Sequence, residues 1–171
     1  MKTPPYTALW HCGWASSGGY PGAYPARYLQ YVKRWIAETE AEYKPVLHLF
    51  SGTVHEGTKI DLNPKVNPTH VLDLRSARIP YRDGTFATVL ADPPYDHKNY
   101  EASKLLCGME PVPRYSFMPE AIRVLRPGGF LFVLHVFPYK AFPGCDRVGF
   151  IGVTAGANSF IRCATIFRRQ V

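Results

Sequence analysis

Seven short apolar segments set the strongest limit on how this chain of 171 residues can fold. They are rich in Val, Leu, Ile and Phe, and most are flanked by Gly, Pro, Asn or Asp, which is typical of strands buried on both faces of a sheet. The segments are 46–50, 58–61, 70–73, 88–91, 130–135, 148–153 and 161–167. Helical patterns lie between some of them, so the sequence predicts an α/β fold with about seven strands between layers of helix.

Two segments have the residue spacing of amphipathic helices. The first spans about 25–42, where Pro25 suits a first turn and apolar residues recur every three or four positions. The second spans about 117–125 and ends before Pro127-Gly128-Gly129, a sequence that stops helices. Residues 1–24 are rich in Gly, Pro, Ser and aromatic residues, and we expect them to be irregular.

The connections in the first half of the predicted sheet are unusually short. Residues 51–57 separate the first two strands and residues 62–69 separate the second from the third. A parallel crossover that contains a helix needs at least about 10–12 residues. We therefore expect helices to be reduced in this half, with extended loops joining the strands or the N-terminal helix covering that face.

Length and composition favour a single globular domain over residues 1–171. Within it we distinguish an N-terminal loop and helix, residues 1–44, from a core, residues 45–171. Charged residues make up 19% and hydrophobic residues 46%, a balance that excludes a disordered chain. No apolar stretch approaches the ~18 residues of a membrane span, and the N-terminus lacks the apolar core of a signal peptide.

The four cysteines, Cys12, Cys107, Cys145 and Cys163, are widely spaced and form no CxxC pair. This favours free thiols in a reducing cytoplasm, and no ligand spacing supports a metal site. The net charge of +7, from 20 basic and 13 acidic residues, suits a polyanionic partner such as nucleic acid. Charge alone does not decide between that partner and an ordinary solvated surface.

The tetrapeptide Asp92-Pro93-Pro94-Tyr95 directly follows the predicted strand 88–91. Proline fixes φ near ~−65° and has no N–H to compete for the Pro93 carbonyl, so the corner is rigid. The Asp92 carboxylate and that carbonyl can then point the same way, beside the ring of Tyr95. Two acceptors next to a stacking ring suit one kind of target, a planar ring that bears an exocyclic amino group.

This tetrapeptide resembles the (D/N/S)-P-P-(Y/F/W) motif of amino-methyltransferases that use S-adenosylmethionine (SAM). By motif, the DNA adenine-N6 and cytosine-N4 methylases are most similar. Other segments resemble class I methyltransferases in the expected order: "F-S-G" at 50–52, "L-P-F-x-D-G-S-F" at 79–86 and "R-V-L-K-P-G-G-x-L" at 123–131. The resemblance covers about 46–135 and implies a Rossmann-like sheet in a compact enzyme that lacks a target-recognition domain.

The resemblance also implies where SAM binds. A glycine after the first strand lets the backbone approach the methionine part of SAM. A carboxylate after the second strand accepts hydrogen bonds from both ribose hydroxyls, and residues after the third strand hold the adenine edge. In strand order, the predicted contacts are Phe50, Ser51 and Gly52; Asp61 and Leu62; Asp73 and Leu74; and Asp92.

The implied catalytic residues are Asp92, Pro93, Pro94 and Tyr95. Asp92 and the Pro93 carbonyl would accept the two amino hydrogens, so that the nitrogen lone pair faces the methyl group of SAM. Tyr95 would stack on a base that has left its helix. We expect the segment 96–115 to close over the substrate, with residues 16–24 as the opposite lip. No metal or covalent nucleophile is required.

Several substrates stay open at this point. DNA is favoured over RNA, and adenine N6 over cytosine N4. An RNA base amine such as guanine N2 is the next alternative, since some RNA enzymes share the motif. The missing recognition domain also fits a small-molecule target, or a SAM-binding subunit whose protein partner or second copy recognises the nucleic acid. Asp92 argues against a protein target, because related glutamine methyltransferases usually have Asn there.

Overall fold

The computed structural model describes residues 6–13, 23–94, 111–156 and 161–171. Two α-helices lie in these ranges, α1 (Tyr28–Ala37) and α2 (Met118–Val124), together with one turn of 3-10 helix at Pro64–Val66. The strands are β1 (Tyr6–His11), β2 (Val46–Leu49), β3 (Thr58–Asp61), β4 (His70–Val71), β5 (Phe86–Ala91), β6 (Leu125–His135), β7 (Cys145–Thr154) and β8 (Arg162–Arg169). They form a single sheet in the order β1-β7-β8-β6-β5-β2-β3-β4.

Strand β5 lies at the centre of the sheet, between two parallel neighbours. Leu49 of β2 is in register with Ala91 of β5, and Ala91 is in register with Val133 of β6. Strands β3 and β4 continue the parallel half, while β8 runs antiparallel between β6 and β7. The carboxyl ends of the parallel strands therefore share one edge of the sheet, and β8 begins at that same edge.

The predicted α/β sheet is confirmed, with eight strands instead of about seven. The additional strand is β1, so the expectation of irregular structure was wrong for residues 6–11. Tyr6–His11 pairs in parallel with the segment Gly149–Thr154 of β7. Its residues alternate in burial: Trp10 faces the core, whereas the Leu9 side chain is 64% exposed. Hydrogen bonds to β7 stabilise this short edge strand. It was missed in the sequence analysis because the surrounding residues are rich in Gly and Pro, which are typical of loops.

Successive residues of the strands face two hydrophobic cores on opposite sides of the sheet. On one side α1 packs against the central strands, with the Trp35 ring edge-on to Phe130 and Phe132 at 5.0 and 5.4 Å between ring centroids. On the other side α2 contributes Met118 and Ile122 to a core with alternate residues of β2, β5 and β6. The sheet thus lies between two layers, as predicted.

The reduction of helices in the first half is confirmed for residues 46–94. Loops join β2 to β3 and β3 to β4, and the second loop contains only the 3-10 turn. Helix α1 covers the central strands on the face where connecting helices are missing, which was one of the two expected solutions. It spans Tyr28–Ala37, shorter than the predicted 25–42, because the chain turns away at Glu40, where φ is +59°.

Three of the four cysteines, Cys12, Cys145 and Cys163, are free thiols in the structure, and Cys107 lies outside the described residues. Burial raises the pKa of Cys12 and of Cys145 to about 11, so both thiols are protonated at neutral pH. Neither helix α1 nor α2 has the length and apolar character that crossing a membrane would require.

Gly57 and Gly84 form a matched pair for testing the packing at the start of β3. Both have positive φ, +70° and +65°. A Cβ at Gly57 would lie 2.6 Å from Val46 Cγ1, whereas the nearest atom to a Cβ at Gly84 is 3.8 Å away. We expect Gly84→Ala to cost about 1 kcal/mol for the backbone alone, and Gly57→Ala about 3 kcal/mol or more. Urea unfolding measures both, and equal losses would contradict the packing described here.

Candidate functional site

Most of the residues predicted to bind SAM or to take part in catalysis lie at the carboxyl edge of the sheet. The Phe50-Ser51-Gly52 loop follows β2, Asp61 ends β3 and Asp92 follows β5. The Asp92 N–H donates to the Leu49 carbonyl at 3.4 Å, and the Ser51 N–H donates to the Ile60 carbonyl at 3.1 Å. These backbone hydrogen bonds continue the parallel pairing beyond the strand ends and hold the three segments side by side.

Asp61 fixes the glycine loop in place. Its Oδ2 accepts a hydrogen bond from the Gly52 N–H and its Oδ1 accepts one from the Asn63 N–H, each at 2.9 Å. Phe50 and Gly52 are both in the left-handed region, with φ of +55° and +49°. Each carboxylate oxygen has a second acceptor position, so Asp61 can hold the loop and still accept hydrogen bonds from a ligand. The adjacent Leu62 is exposed.

Asp73 forms an ion pair with an arginine close to it in the chain. Strand β4 ends at Val71, and Asp73 lies in the turn that follows. Its carboxylate accepts hydrogen bonds from the Arg75 N–H and guanidinium, the shortest at 2.6 Å, and this lowers the pKa of Asp73. Leu74 is buried in the core on the α2 side. The assignment of Asp73 and Leu74 to the adenine of SAM stays a prediction.

Asp92 is buried at the edge of the sheet and forms an ion pair. Arg162 Nη1 donates to Asp92 Oδ2 at 2.9 Å, and the two side chains are 17% and 3% exposed. Burial raises the pKa of Asp92 to about 6, while the charge and hydrogen bond of Arg162 oppose that rise. Among the described residues, nothing donates a hydrogen bond to Asp92 Oδ1. Within the described ranges, Asp92 thus has one oxygen in a hydrogen bond, Oδ2, and one without a donor, Oδ1.

The two prolines shape the corner after β5. Pro93 is buried, and no described residue donates to its carbonyl oxygen. The Pro94 carbonyl accepts a hydrogen bond from the Val112 N–H at 3.1 Å, which ties the corner to the segment before α2. Tyr95 lies outside the described residues, as do 96–110 of the predicted closing segment and 16–22 of the predicted opposite lip.

Three tyrosines with buried hydroxyl groups are within the electrostatic influence of Asp92, and none was assigned a role at this carboxylate from the sequence. Tyr24 and Tyr28 lie on the α1 side, and Tyr139 follows β6 on the α2 side. Burial, with the negative charge of Asp92 adding to it, raises the pKa of each phenol. Their hydroxyl groups are buried and have no hydrogen-bond partner among the described residues. Neutral phenols on both faces of the sheet are thus within the electrostatic influence of Asp92.

The two histidines nearest this edge are neutral at physiological pH. His48 of β2 is fully buried without a partner for either ring nitrogen, and burial lowers its pKa to about 4. At the end of β6, His135 Nδ1 accepts a hydrogen bond from the Phe137 N–H at 3.1 Å. Burial and the charge of Arg114 lower the pKa of His135 to about 4. The described residues contain no cluster of three or more His, Cys, Asp or Glu side chains suited to a metal ion.

An aromatic and basic rim follows β6. The Arg114 guanidinium lies over the rings of Phe137 and Tyr139, at 5.2 and 5.5 Å from their centroids. Phe137 is 59% exposed, which is unusual for a phenylalanine at the edge of a core. This rim offers a flat apolar face and a positive charge beyond the carboxyl end of β6.

No protein-family model and no curated protein sequence matches this chain. Solved structures of class I methyltransferases do match its fold. NodS, an N-methyltransferase from Bradyrhizobium japonicum WM9, is 11% identical over 85% of this chain and 95% of its own, with a TM-score of 0.54. A candidate class I SAM-dependent methyltransferase from Listeria monocytogenes is 14% identical over 84% of this chain and 59% of its own, with a TM-score of 0.54.

A third match comes from a complex of the Haloferax volcanii Trm112 methyltransferase activator with a candidate methyltransferase. It is 11% identical over 85% of this chain and 90% of the matched chain, with a TM-score of 0.55. NodS has also been crystallised with S-adenosylhomocysteine, the product that SAM leaves after methyl transfer. At these identities the likeness concerns the fold, and it shows that the chain has the Rossmann-like fold of class I SAM-dependent methyltransferases.

His48 generates a prediction about stability and pH. The unfolded chain binds a proton at His48 below about pH 6.5, whereas the folded protein binds it only near pH 4. The free energy of unfolding should therefore fall as the pH is lowered from 6.5 to 4, by up to about 3 kcal/mol from this residue. His48→Leu should remove that loss, measured by urea unfolding across this range. The exposed His55, changed to Gln, is the control, and an unchanged pH dependence in His48→Leu would contradict the prediction.

Proposed function

We propose that this chain is a SAM-dependent N-methyltransferase that acts on the exocyclic amine of a nucleic-acid base, with adenine N6 or cytosine N4 in DNA as the favoured targets. The observation that carries the proposal is the corner at Asp92 and Pro93. A buried carboxylate with an open Oδ1 lies next to a proline carbonyl without a described donor, beside the glycine loop on the carboxyl edge. Two adjacent acceptors of this kind match the two hydrogens of an amino group.

The glycine loop fits SAM. The Ser51 hydroxyl is buried and has no described partner, which suits a loop that meets the polar methionine part of a ligand. Asp61 has acceptor positions left for ribose hydroxyls, and Gly52 lets the backbone come close. When bound, SAM supplies an electrophilic methyl group on its sulfonium. We propose Phe50, Ser51, Gly52, Asp61, Leu62, Asp73 and Leu74 as its contacts, with Asp92 at the border between cofactor and substrate.

The chain's own residues would orient and charge-stabilise the acceptor. Asp92 Oδ1 and the Pro93 carbonyl accept the amino hydrogens and direct the nitrogen lone pair towards the methyl group. Methyl transfer would form the new N–C bond as the S–C bond of the sulfonium breaks and leaves a neutral thioether, so positive charge would develop on the nitrogen. The ionised Asp92 stabilises that charge, an effect worth a few kcal/mol in a site from which water is excluded. The same carboxylate is placed to receive the departing proton, and its pKa of about 6 suits this task near neutral pH.

Nucleic acid is supported as the substrate by charge and by the rim. The net charge of +7 favours a polyanion, and the exposed Phe137 beside Arg114 provides a surface on which a base can stack. Tyr95 is proposed to stack on the opposite side, together with the closing segment. An RNA base amine and a small-molecule amine remain alternatives that the same corner accommodates.

A second candidate is a catalytic subunit that needs a partner to recognise its target. The match to a candidate methyltransferase bound to the Trm112 activator supports it, because that chain has a similar fold and works beside another protein. A second copy of this chain is the other possible source of target recognition. In both cases Asp92 keeps the role proposed above.

The proposal predicts transfer of labelled methyl from SAM to nucleic acid. Duplex DNA, single-stranded DNA and total RNA should be compared, with nucleoside mass spectrometry to identify the product. We expect N6-methyladenine or N4-methylcytosine in DNA. Asp92→Ala should lower the rate by roughly 10²–10³-fold or more, while calorimetry shows SAM binding retained. Asp146→Ala, an exposed aspartate on β7, is the matched control.

Other outcomes of this assay separate the alternatives. Label only in RNA would transfer the proposal to an RNA base amine. Loss of SAM binding in Asp92→Ala would contradict the role given to Asp92. Absence of label in every substrate, with SAM bound, would overturn the nucleic-acid target for the isolated chain and favour a small molecule or a missing partner.

The pKa of Asp92 predicts the pH dependence of catalysis. Only the ionised carboxylate accepts both an amino hydrogen and the departing proton, so kcat/KM should rise as the pH increases through about 6. Asp92→Asn keeps the size of the side chain and one oxygen acceptor but cannot ionise. It should therefore be slower and lack this rise. A rise near pH 6 that persists in Asp92→Asn would assign the titration to another group.

A further inference from the structure

Arg162 contacts the carboxylate on which the proposed reaction depends, but it is neither a proposed SAM contact nor a proposed acceptor for the amino hydrogens. It is the first residue of β8, whose neighbour β6 runs antiparallel to it, with Cys163 in register with His135 at the carboxyl end of β6. This register places the start of β8 at the catalytic edge. From there the guanidinium reaches past β6 to Asp92, the residue that follows β5, at 2.9 Å.

The contact uses one oxygen of Asp92 and leaves the other. Nη1 of Arg162 donates to Oδ2, which fixes the rotation of the carboxylate about its Cβ–Cγ bond. With Oδ2 held, Oδ1 has a defined direction and no described donor. A carboxylate without this anchor could rotate and exchange its two oxygens, and the alignment with the Pro93 carbonyl would be lost.

Arg162 also supplies a positive charge that acts on the buried Asp92 carboxylate. The other titratable groups on which the charge of Asp92 acts are the phenols of Tyr24 and Tyr28 on the α1 side and of Tyr139 on the α2 side, all of them neutral. Among the described residues, the opposite charge that acts on Asp92 is that of Arg162. A buried carboxyl without a countercharge is driven towards its neutral form, which cannot stabilise a developing positive charge.

We propose that Arg162 is a positioning residue for methyl transfer: it anchors Asp92 through Oδ2, keeps the carboxylate ionised and directs Oδ1 towards the acceptor nitrogen. This inference rests on the proposed function for its catalytic consequence. The effect on the charge of Asp92 does not depend on any substrate. The two parts can therefore be tested separately.

The first test measures the ionisation of Asp92 directly. The side-chain carboxyl carbons of aspartate-labelled protein are titrated by NMR, and the Asp92 signal is identified by its absence in Asp92→Asn. In Arg162→Gln the Asp92 pKa should rise by about one pH unit or more relative to the wild type. In Arg162→Lys, which keeps the charge but loses the planar donor group, it should stay closer to the wild type. An Asp92 pKa that is the same in all three proteins would overturn the proposal.

The second test uses the methyl-transfer assay. In Arg162→Gln the rise of kcat/KM should move to higher pH by the same amount as the NMR titration, with kcat reduced tenfold or more at pH 7 and partly recovered at pH 9. Arg162→Lys should restore the wild-type position of the rise with a lower kcat. A shared loss of rate with no shift of the profile would show that Arg162 serves only the stability of the fold.

Controls make the outcomes distinguishable. Arg168→Gln removes a cation from the other end of β8, where its Nε donates to the Gly128 carbonyl, and should leave both titrations unchanged. Circular dichroism tests the folding of each variant. If Arg162→Gln does not fold, Arg162→Lys decides, because a wild-type kcat in that variant would overturn the positioning role.

If the wild-type protein methylates no substrate, the proposed function fails. The NMR titration still decides whether Arg162 controls the charge of Asp92.

Discussion

The parallel pairing of β5 between β2 and β6 is the constraint on which the rest of the structure depends. It buries β5 on both faces and places its carboxyl end beside those of β2 and β6, with the Asp92 N–H bonded to the Leu49 carbonyl. The chain must therefore leave the sheet at the same edge each time, and the polar residues that follow the strands collect there. The glycine loop, Asp61 and the Asp92 corner are close together for this reason.

Much of this arrangement could be predicted from the sequence, because it depends on local signals. Short Val- and Leu-rich runs identified the central strands, and connections too short for a helix correctly indicated a reduced first half. Strand β1 was missed because its strand conformation depends on hydrogen bonds to β7, which lies more than 130 residues away in the chain. The ending of α1 before residue 42 was also missed, since the turn at Glu40 depends on tertiary packing.

At the candidate site, the sequence analysis found the residues that follow the strands and overlooked those that approach from elsewhere. Arg162, Tyr28 and Tyr139 carry no motif, and their relation to Asp92 exists only once the sheet is assembled. One signal was available: a strand that runs antiparallel to its neighbours begins where they end, so a charged residue at its start belongs to the same edge. Asp73 was found from its place after a strand, and its hydrogen-bonded partner, Arg75, is only two residues away in the chain.

Helix α1 lies in the chain between the edge strand β1 and β2, and it covers the face on which the connections of the first half have no helix. Its Trp35, Val32 and Ile36 cover strands that would otherwise expose Leu90 and Phe132 to water. Residues before and after position 44 therefore belong to the same hydrophobic core, although the sequence was divided there into two parts. A fragment that begins at the first glycine-loop strand would retain every proposed cofactor contact and still present a large apolar surface, so its expected fate is aggregation instead of catalysis. In this compact form of the fold, the N-terminal segment that contains α1 is part of the hydrophobic core.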